Sequence, residues 1–167
     1  GAVTIVNGAG KAPFSPSALS TLKSPAAPGS GFEFVAYQGI ALGDGRQANN
    51  PWLQELPDPI TKTTWGNVAS FSPADAKTLG LIEGRVVKLS GNGISIELPA
   101  HIQPGQAPGT VVAALGYGRS GIGVMAGNFP IEKMLPIDFE PASGADVTAL
   151  STSTAVSVEV LGRIERL

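Results

Sequence analysis

The sequence predicts a mainly β domain in which six short strands curl into a barrel, and three observations lead there. Gly and Pro number 22 and 14 in a chain of 167 residues, high for a helical protein and ordinary for a barrel with many turns. Asn92-Gly93 separates two runs of strand-forming residues, Arg85 to Ser90 and Ile94 to Ile102, which is a strong hairpin signal. Thr110 to Leu115 is a nearly continuous apolar run, of the kind that lies buried on both sides.

Taken in order, Gly1 to Gly31 is rich in Ala, Gly, Pro and Ser, and only Val3 to Val6 is able to make a strand. Ser24 to Gly31 reads as a linker, so residues 1–31 are expected to be an arm from preceding domains and residues 32–167 the barrel. Phe32 to Ile40, aromatic and β-branched, is the first strand. Thr63 to Phe71 reads as the second, with Trp65, Asn67, Ala69 and Phe71 on one face. Ser72 then caps a short helix with Pro73 at its first position, Asp75 reaching back and Gly80 ending it, while Leu79 and Leu81 fasten it to the core.

Glu83-Gly84 turns the chain into the hairpin, whose second strand places Ile94, Ile96, Leu98, Ala100 and Ile102 on one face. Ser95, Glu97 and His101 fall on the other, so His101 is expected to point to solvent and is given no role. Pro104 to Gly109 is a turn. The strand from Thr110 ends in Gly116-Tyr117-Gly118-Arg119-Ser120-Gly121-Ile122-Gly123, and no helix of adequate length follows, which argues against a Rossmann-type nucleotide site. Asn128 to Pro136 is expected to form a helical turn, Ile137 to Ser153 a loop, and Val156 to Val160 the last strand.

Composition removes several functions. Charged residues are 14% of the chain with a net charge of -2, so no basic stripe is available for nucleic acid. There is no cysteine and one histidine, which excludes disulfides, thiol catalysis and iron–sulfur ligation within the chain and makes a protein-built metal site improbable. No run of eighteen apolar residues exists, so direct membrane insertion is not expected.

The segment from Ala41 to Pro59, ALGDGRQANNPWLQELPDP, has neither helical nor strand periodicity. Long structureless loops in compact domains are usually functional or disordered. Trp52-Leu53 at its centre is an apolar anchor costly to leave in water, so an ordered loop that meets a partner is expected. Gly43-Asp44-Gly45-Arg46 has the makings of an anion cradle, in which backbone N–H groups turn inward and Arg46 adds a bidentate donor. From these four residues alone, a tight Asp-Gly turn with a solvated Arg is favoured. Asn49 and Asn50 offer amides for a heterocycle edge or serve as turn residues.

GDGRQANNPWLQELPDPITKTTWGN, then SPADAKTLGLIEGRVVKL, then LPAHIQPGQAPGTVVAALGYGR form an ordered set of motifs from roughly Phe32 to Arg119. This set resembles the C-terminal dinucleotide-binding domain of the molybdopterin oxidoreductase superfamily. Within it the chain looks most like the large iron–sulfur subunit of alternative complex III, a quinol-oxidising membrane complex. The resemblance implies a double-psi β-barrel, aspartate-decarboxylase-like, with one or two short helices. In the molybdenum enzymes its loops wrap a bis-guanine-dinucleotide cofactor, whereas the alternative complex III relatives are understood to have lost it. Carried onto this sequence, the cofactor-binding candidates are Gly43, Asp44, Arg46, Asn49, Asn50, Tyr117 and Arg119. Arg46 and Arg119 each follow a glycine at the end of a strand, so barrel closure would bring both to one rim.

No catalytic residues are assigned. Glu55 and Asp58 lie three apart, yet Pro57 and Pro59 extend the backbone and spread the carboxylates, which are expected to bond backbone N–H groups instead. The leading expectation is a non-catalytic domain of a respiratory oxidoreductase subunit, vestigial for cofactor, with no cofactor in this chain. Its partners would be other domains of the same subunit and other subunits, at the periplasmic face of a bacterial inner membrane. The alternatives are a working molybdopterin guanine dinucleotide domain of a molybdenum or tungsten oxidoreductase, and a free-standing double-psi barrel adaptor.

Overall fold

The computed structural model describes residues 31–119, 144–153 and 155–167. The expectations for the arm before Gly31, for the glycines at 121 and 123 and for the helical turn from Asn128 lie outside these residues. The elements run β1 (Glu33–Tyr37), α1 (Pro51–Glu55), β2 (Ala69–Phe71), α2 (Pro73–Leu79), β3 (Arg85–Gly91), β4 (Ile94–Ile102), β5 (Thr110–Ala114), a 3-10 helix (Thr148–Thr152) and β6 (Ser157–Ile164).

The six strands form one sheet in the order β1-β5-β2-β4-β3-β6. Two pairs, β1 with β5 and β2 with β4, are parallel, and the other three are antiparallel. The two ends of this order meet at the residues just before β1 and β6. Phe32 and Val156 exchange both backbone hydrogen bonds, at 2.9 and 2.8 Å, and so close the sheet into a barrel. Closure satisfies N–H and C=O groups that an open edge would expose.

The core fills the inside of this cylinder with Phe34, Phe71, Leu89, Leu98, Val111 and Leu150, all buried. Each such side chain stabilises by about 1.5–3 kcal/mol on transfer from water. Phe32 stands edge-on to Phe71 with ring centroids 6.0 Å apart, so the residue that closes the barrel is itself packed on the core.

Local chemistry sets the hairpin and α2 as the sequence predicts. Asn92 and Gly93 take φ of 50° and 75°, the paired left-handed conformation of a tight two-residue hairpin turn. The Ser72 hydroxyl accepts from Asp75 N–H at 3.1 Å and donates to Asp75 Oδ2 at 2.7 Å, and Gly80 ends the helix at φ 67°. Asp75 Oδ2 also accepts from Gly109 N–H at 2.9 Å, which ties the helix to the turn before β5.

Several expectations are corrected. The second strand is only Ala69–Phe71, because Trp65 adopts φ of 62°, which no strand accommodates, just after a first left-handed residue at Lys62. The segment 41–59 contains a helix: Asn50 caps it, its side chain accepting from Trp52 N–H at 3.1 Å, and Pro51 sits in its first turn. Residues Thr148–Thr152, expected as loop, make a 3-10 turn that buries Leu150, and the last strand runs on to Ile164. Trp52 is no anchor, being 83% exposed. Its neighbour Leu53 packs instead on Leu42 and Ala48, so the helix turns one face to this small cluster and leaves Trp52 outside it. His101 is not solvated either, since its ring is held between the Glu83 carboxylate and the Gln103 side chain.

Candidate functional site

Both glycine-and-arginine corners lie at one mouth of the barrel. The strand β1 delivers the chain into the 39–50 loop, and β5, its parallel neighbour, delivers it into Gly116 to Arg119. Parallel pairing forces the two exits to the same end. There Arg119 Nη2 donates to the Asp44 carbonyl. Gly116, at φ 100°, approaches Gly45 so closely that a Cβ on it would lie 3.0 Å from Gly45 N.

A buried clamp holds this mouth together. The Asn67 side chain donates to the Ala114 carbonyl at 2.8 Å and to the Ala145 carbonyl at 3.0 Å, and accepts from Ala145 N–H at 3.0 Å. It joins the end of β5, the lead-in to β2 and the segment after residue 144. The alternation in the sequence puts Asn67 on a core-facing position and assigns it no role. The signal available is that position itself, because an amide facing a core must find partners.

Inside the mouth stand two phenols and a carboxylate. Burial pushes the Tyr37 hydroxyl up, and the nearby Asp58 charge and then Tyr117 raise it further. Tyr117 is raised by burial first and by Asp58 second. Asp58 Oδ1 accepts from Ile60 N–H at 2.9 Å and Thr61 N–H at 2.8 Å, the backbone-bonding role expected of it. Glu55 is exposed and makes no such bond. Glu55 and Asp58 lie in different environments, the His101 ring is held by Glu83 and Gln103, and the described residues hold no three-residue metal cluster.

The anion cradle is satisfied from within. Gly43 N–H donates to the Gly39 carbonyl at 2.9 Å, Gly45 N–H to Leu42 O at 2.8 Å, and Arg46 N–H to Asp44 Oδ1 at 3.1 Å. Arg46 Nε pairs with Asp44 Oδ2 at 3.0 Å, with the guanidinium 86% exposed. The turn reading favoured by the sequence is therefore the one seen. Asn50 serves as a helix cap, Asn49 is an exposed residue of the same loop, and Tyr117 lines the inner mouth.

Three adjoining hollows run along this face. One of about 400 Å3 lies over Gln38, Ile40 to Asp44, Arg46 and Gln47. It shares Ile40 and Ala41 with a narrow hollow of about 20 Å3 between Tyr37, Leu56, Asp58 and Tyr117. That one shares Tyr37 and Thr61 with a mostly apolar hollow of about 210 Å3 bounded by Ile60, Val112, Gln103 and Gln106.

The described residues thus form a closed six-stranded barrel with its two glycine corners at one mouth. The molydopterin dinucleotide binding domain model matches residues 42–148, and the chain belongs to that family. It is similar to the molybdopterin-containing subunit ArrA of arsenate respiratory reductase from Shewanella sp. (strain ANA-3), 32% identical over 77 residues, which is 46% of this chain and 9% of that protein. The corresponding subunit of Chrysiogenes arsenatis is 30% identical over 127 residues, 68% of this chain and 15% of that protein. Among solved structures, acetylene hydratase from Pelobacter acetylenicus superposes with a TM-score of 0.43 at 18% identity, over 52% of this chain and 11% of that one. These matches support the dinucleotide-binding family and give no support to the narrower likeness to alternative complex III.

Tested against that family's dinucleotide, the loop as folded is a poor fit. Three N–H groups of the candidate cradle already have acceptors, and the Asp44 carboxylate occupies the place of an anion beside Arg46.

Proposed function

We propose that the chain is a non-catalytic domain of a larger oxidoreductase subunit, where it walls the dinucleotide cleft without supplying reacting groups. The observation that carries this reading is the self-satisfied mouth, in which Asp44 answers both Arg46 and Arg119. With three loop N–H groups and Arg119 Nη2 engaged within the chain, the domain would serve as a lid-like wall vestigial for cofactor, as the resemblance to the large iron–sulfur protein of alternative complex III implies. Its partners would be other domains and subunits of a respiratory complex at the periplasmic face of the membrane. Titration calorimetry of guanosine diphosphate into the chain tests it. No saturable heat is expected, and a stoichiometric complex lost in Arg46→Ala would overturn it.

The second reading is a working molybdopterin guanine dinucleotide domain of a molybdenum or tungsten oxidoreductase. It is favoured by the arsenate respiratory reductase relatives, described as molybdopterin-containing subunits. In that case Arg46 and Arg119 would have to exchange their Asp44 contacts for the ligand's diphosphate, and Gly43, Asn49, Asn50 and Tyr117 would line its path. The cofactor would supply the redox chemistry.

A further inference from the structure

On the outer wall of the barrel, where β1, β5 and β2 lie side by side, the turn after β4 and the residues around Ile60 border the mostly apolar hollow of about 210 Å3. An apolar cavity of about 150 Å3 is enough to admit benzene, so this one has room for a substituted ring. Among the described residues no Asp, Glu, Lys, Arg or His lines it, and a diphosphate would find no counter-charge there. Most polar groups around it are spent. Thr61 Oγ1 is bonded to Asp58 and Thr63, while Gln103 Oε1 faces the His101 ring and its Nε2 donates to the Pro104 carbonyl. Two are not. Gln106 Nε2 donates to the Ser70 and Thr110 carbonyls at 2.7 and 2.9 Å, which fixes the amide and leaves its Oε1 without a partner among the described residues. Ser70 is 6% exposed, yet its Oγ makes no hydrogen bond among the described residues. Ala69 and Phe71 face the core, so alternation points Ser70 outward into the hollow, beside its cross-strand partner Val112. A hydroxyl so deeply placed normally has a partner.

We propose that this hollow binds a small uncharged molecule of single-ring size that carries an amide, whose N–H donates to Gln106 Oε1, whose carbonyl accepts from Ser70 Oγ, and whose ring lies against Ile60 and Val112. Three features fix that class. The volume sets the size at one substituted ring. The uncharged lining excludes acids and amines, because nothing there would offset the loss of their hydration. The two unspent groups are an oxygen that only accepts and a hydroxyl that can donate, and they lie side by side because Gln106 is bonded to the carbonyl of Ser70 itself. A carboxamide or lactam offers the matching donor and acceptor on one planar group. The hollow shares no residue with the 43–50 loop, so the assignment stands whether or not the mouth takes a dinucleotide.

Benzamide is the probe, with ethylbenzene and benzoate as controls of similar size and different polarity. Titrated into the 167-residue chain and read by backbone amide chemical shifts, benzamide is expected to move Ser70, Gln106 and Val112 along one saturable curve, in the roughly millimolar range usual for so small a ligand. Ethylbenzene leaves both polar groups unpaired and should bind about three- to tenfold more weakly, and benzoate more weakly still. Ser70→Ala should weaken benzamide by a similar factor, about three- to tenfold, with ethylbenzene binding and the melting temperature unchanged. No saturable shift with any probe would overturn the assignment, and so would ethylbenzene or benzoate binding as well as benzamide. Shifts confined to the 43–50 loop, or full-strength benzamide binding by Ser70→Ala, would equally overturn it. The comparison of the three probes on the unaltered chain does not depend on any variant folding.

Discussion

Gly45 and Gly116 face each other across the mouth: a Cβ on Gly45 has no space, lying 2.8 Å from Gly116 Cα, and one on Gly116 would sit tightly at 3.1 Å from Gly45 Cα. Their left-handed φ values of 88° and 100° add strain to any substitution. Gly116→Ala is expected to cost about 1–3 kcal/mol, read as a lowered denaturant midpoint at constant slope. An unchanged midpoint would mean that the two corners do not touch in solution.

Asn67→Ala removes three hydrogen bonds at once and leaves the Ala114 and Ala145 carbonyls and the Ala145 N–H without their partner. Stranding such groups costs about 1–3 kcal/mol each before water compensates, so a loss of about 2–4 kcal/mol is expected. Thermal unfolding should show it, together with faster amide exchange at Ala145. A surface-like effect under about 0.5 kcal/mol would remove Asn67 from the clamp.

The raised phenols make an alkaline prediction. Tyr37 and Tyr117 hold their protons to higher pH folded than unfolded, so between the unfolded value of about 10 and the folded values the native state binds more protons. Stability is therefore full below about pH 10 and falls as pH rises beyond it. Tyr37→Phe should flatten that decline, measured as urea midpoints across the alkaline range. Replacing Asp58 with Asn should lower the pH at which tyrosinate absorbance appears, and no change there would disconnect Asp58 from the phenols.

Arg46→Ala should hardly matter to the fold. The Arg46–Asp44 pair is solvent-exposed, and exposed pairs contribute about 0–1 kcal/mol. A midpoint shift beyond that range would show the pair to be structural in a way its exposure does not explain.

Elements set by adjacent residues are readable from the sequence: Asn92-Gly93 makes the hairpin, and Ser72-Pro73 with Gly80 bounds α2. The short α1 escapes such a reading although Asn50-Pro51 is a cap followed by a helix-starting proline, because five residues are too few to show a period. The second strand reads as too long because Trp65, Asn67, Ala69 and Phe71 alternate, while the left-handed turns at Lys62 and Trp65 fall on residues that do not advertise them. Trp52 misleads because a large apolar side chain is expected to be covered, whereas it stands 83% exposed and its neighbour Leu53 packs inward instead. The contact of Arg119 with Asp44, across 75 positions, follows only from supposing that the barrel closes.

Whether the mouth is filled by the chain's own groups is tested most directly by molybdenum and pterin analysis of the protein as it occurs in the cell. Neither is expected in stoichiometric amount. One or two pterin dinucleotides per polypeptide with bound molybdenum or tungsten would contradict the self-filled mouth and establish the working cofactor domain instead.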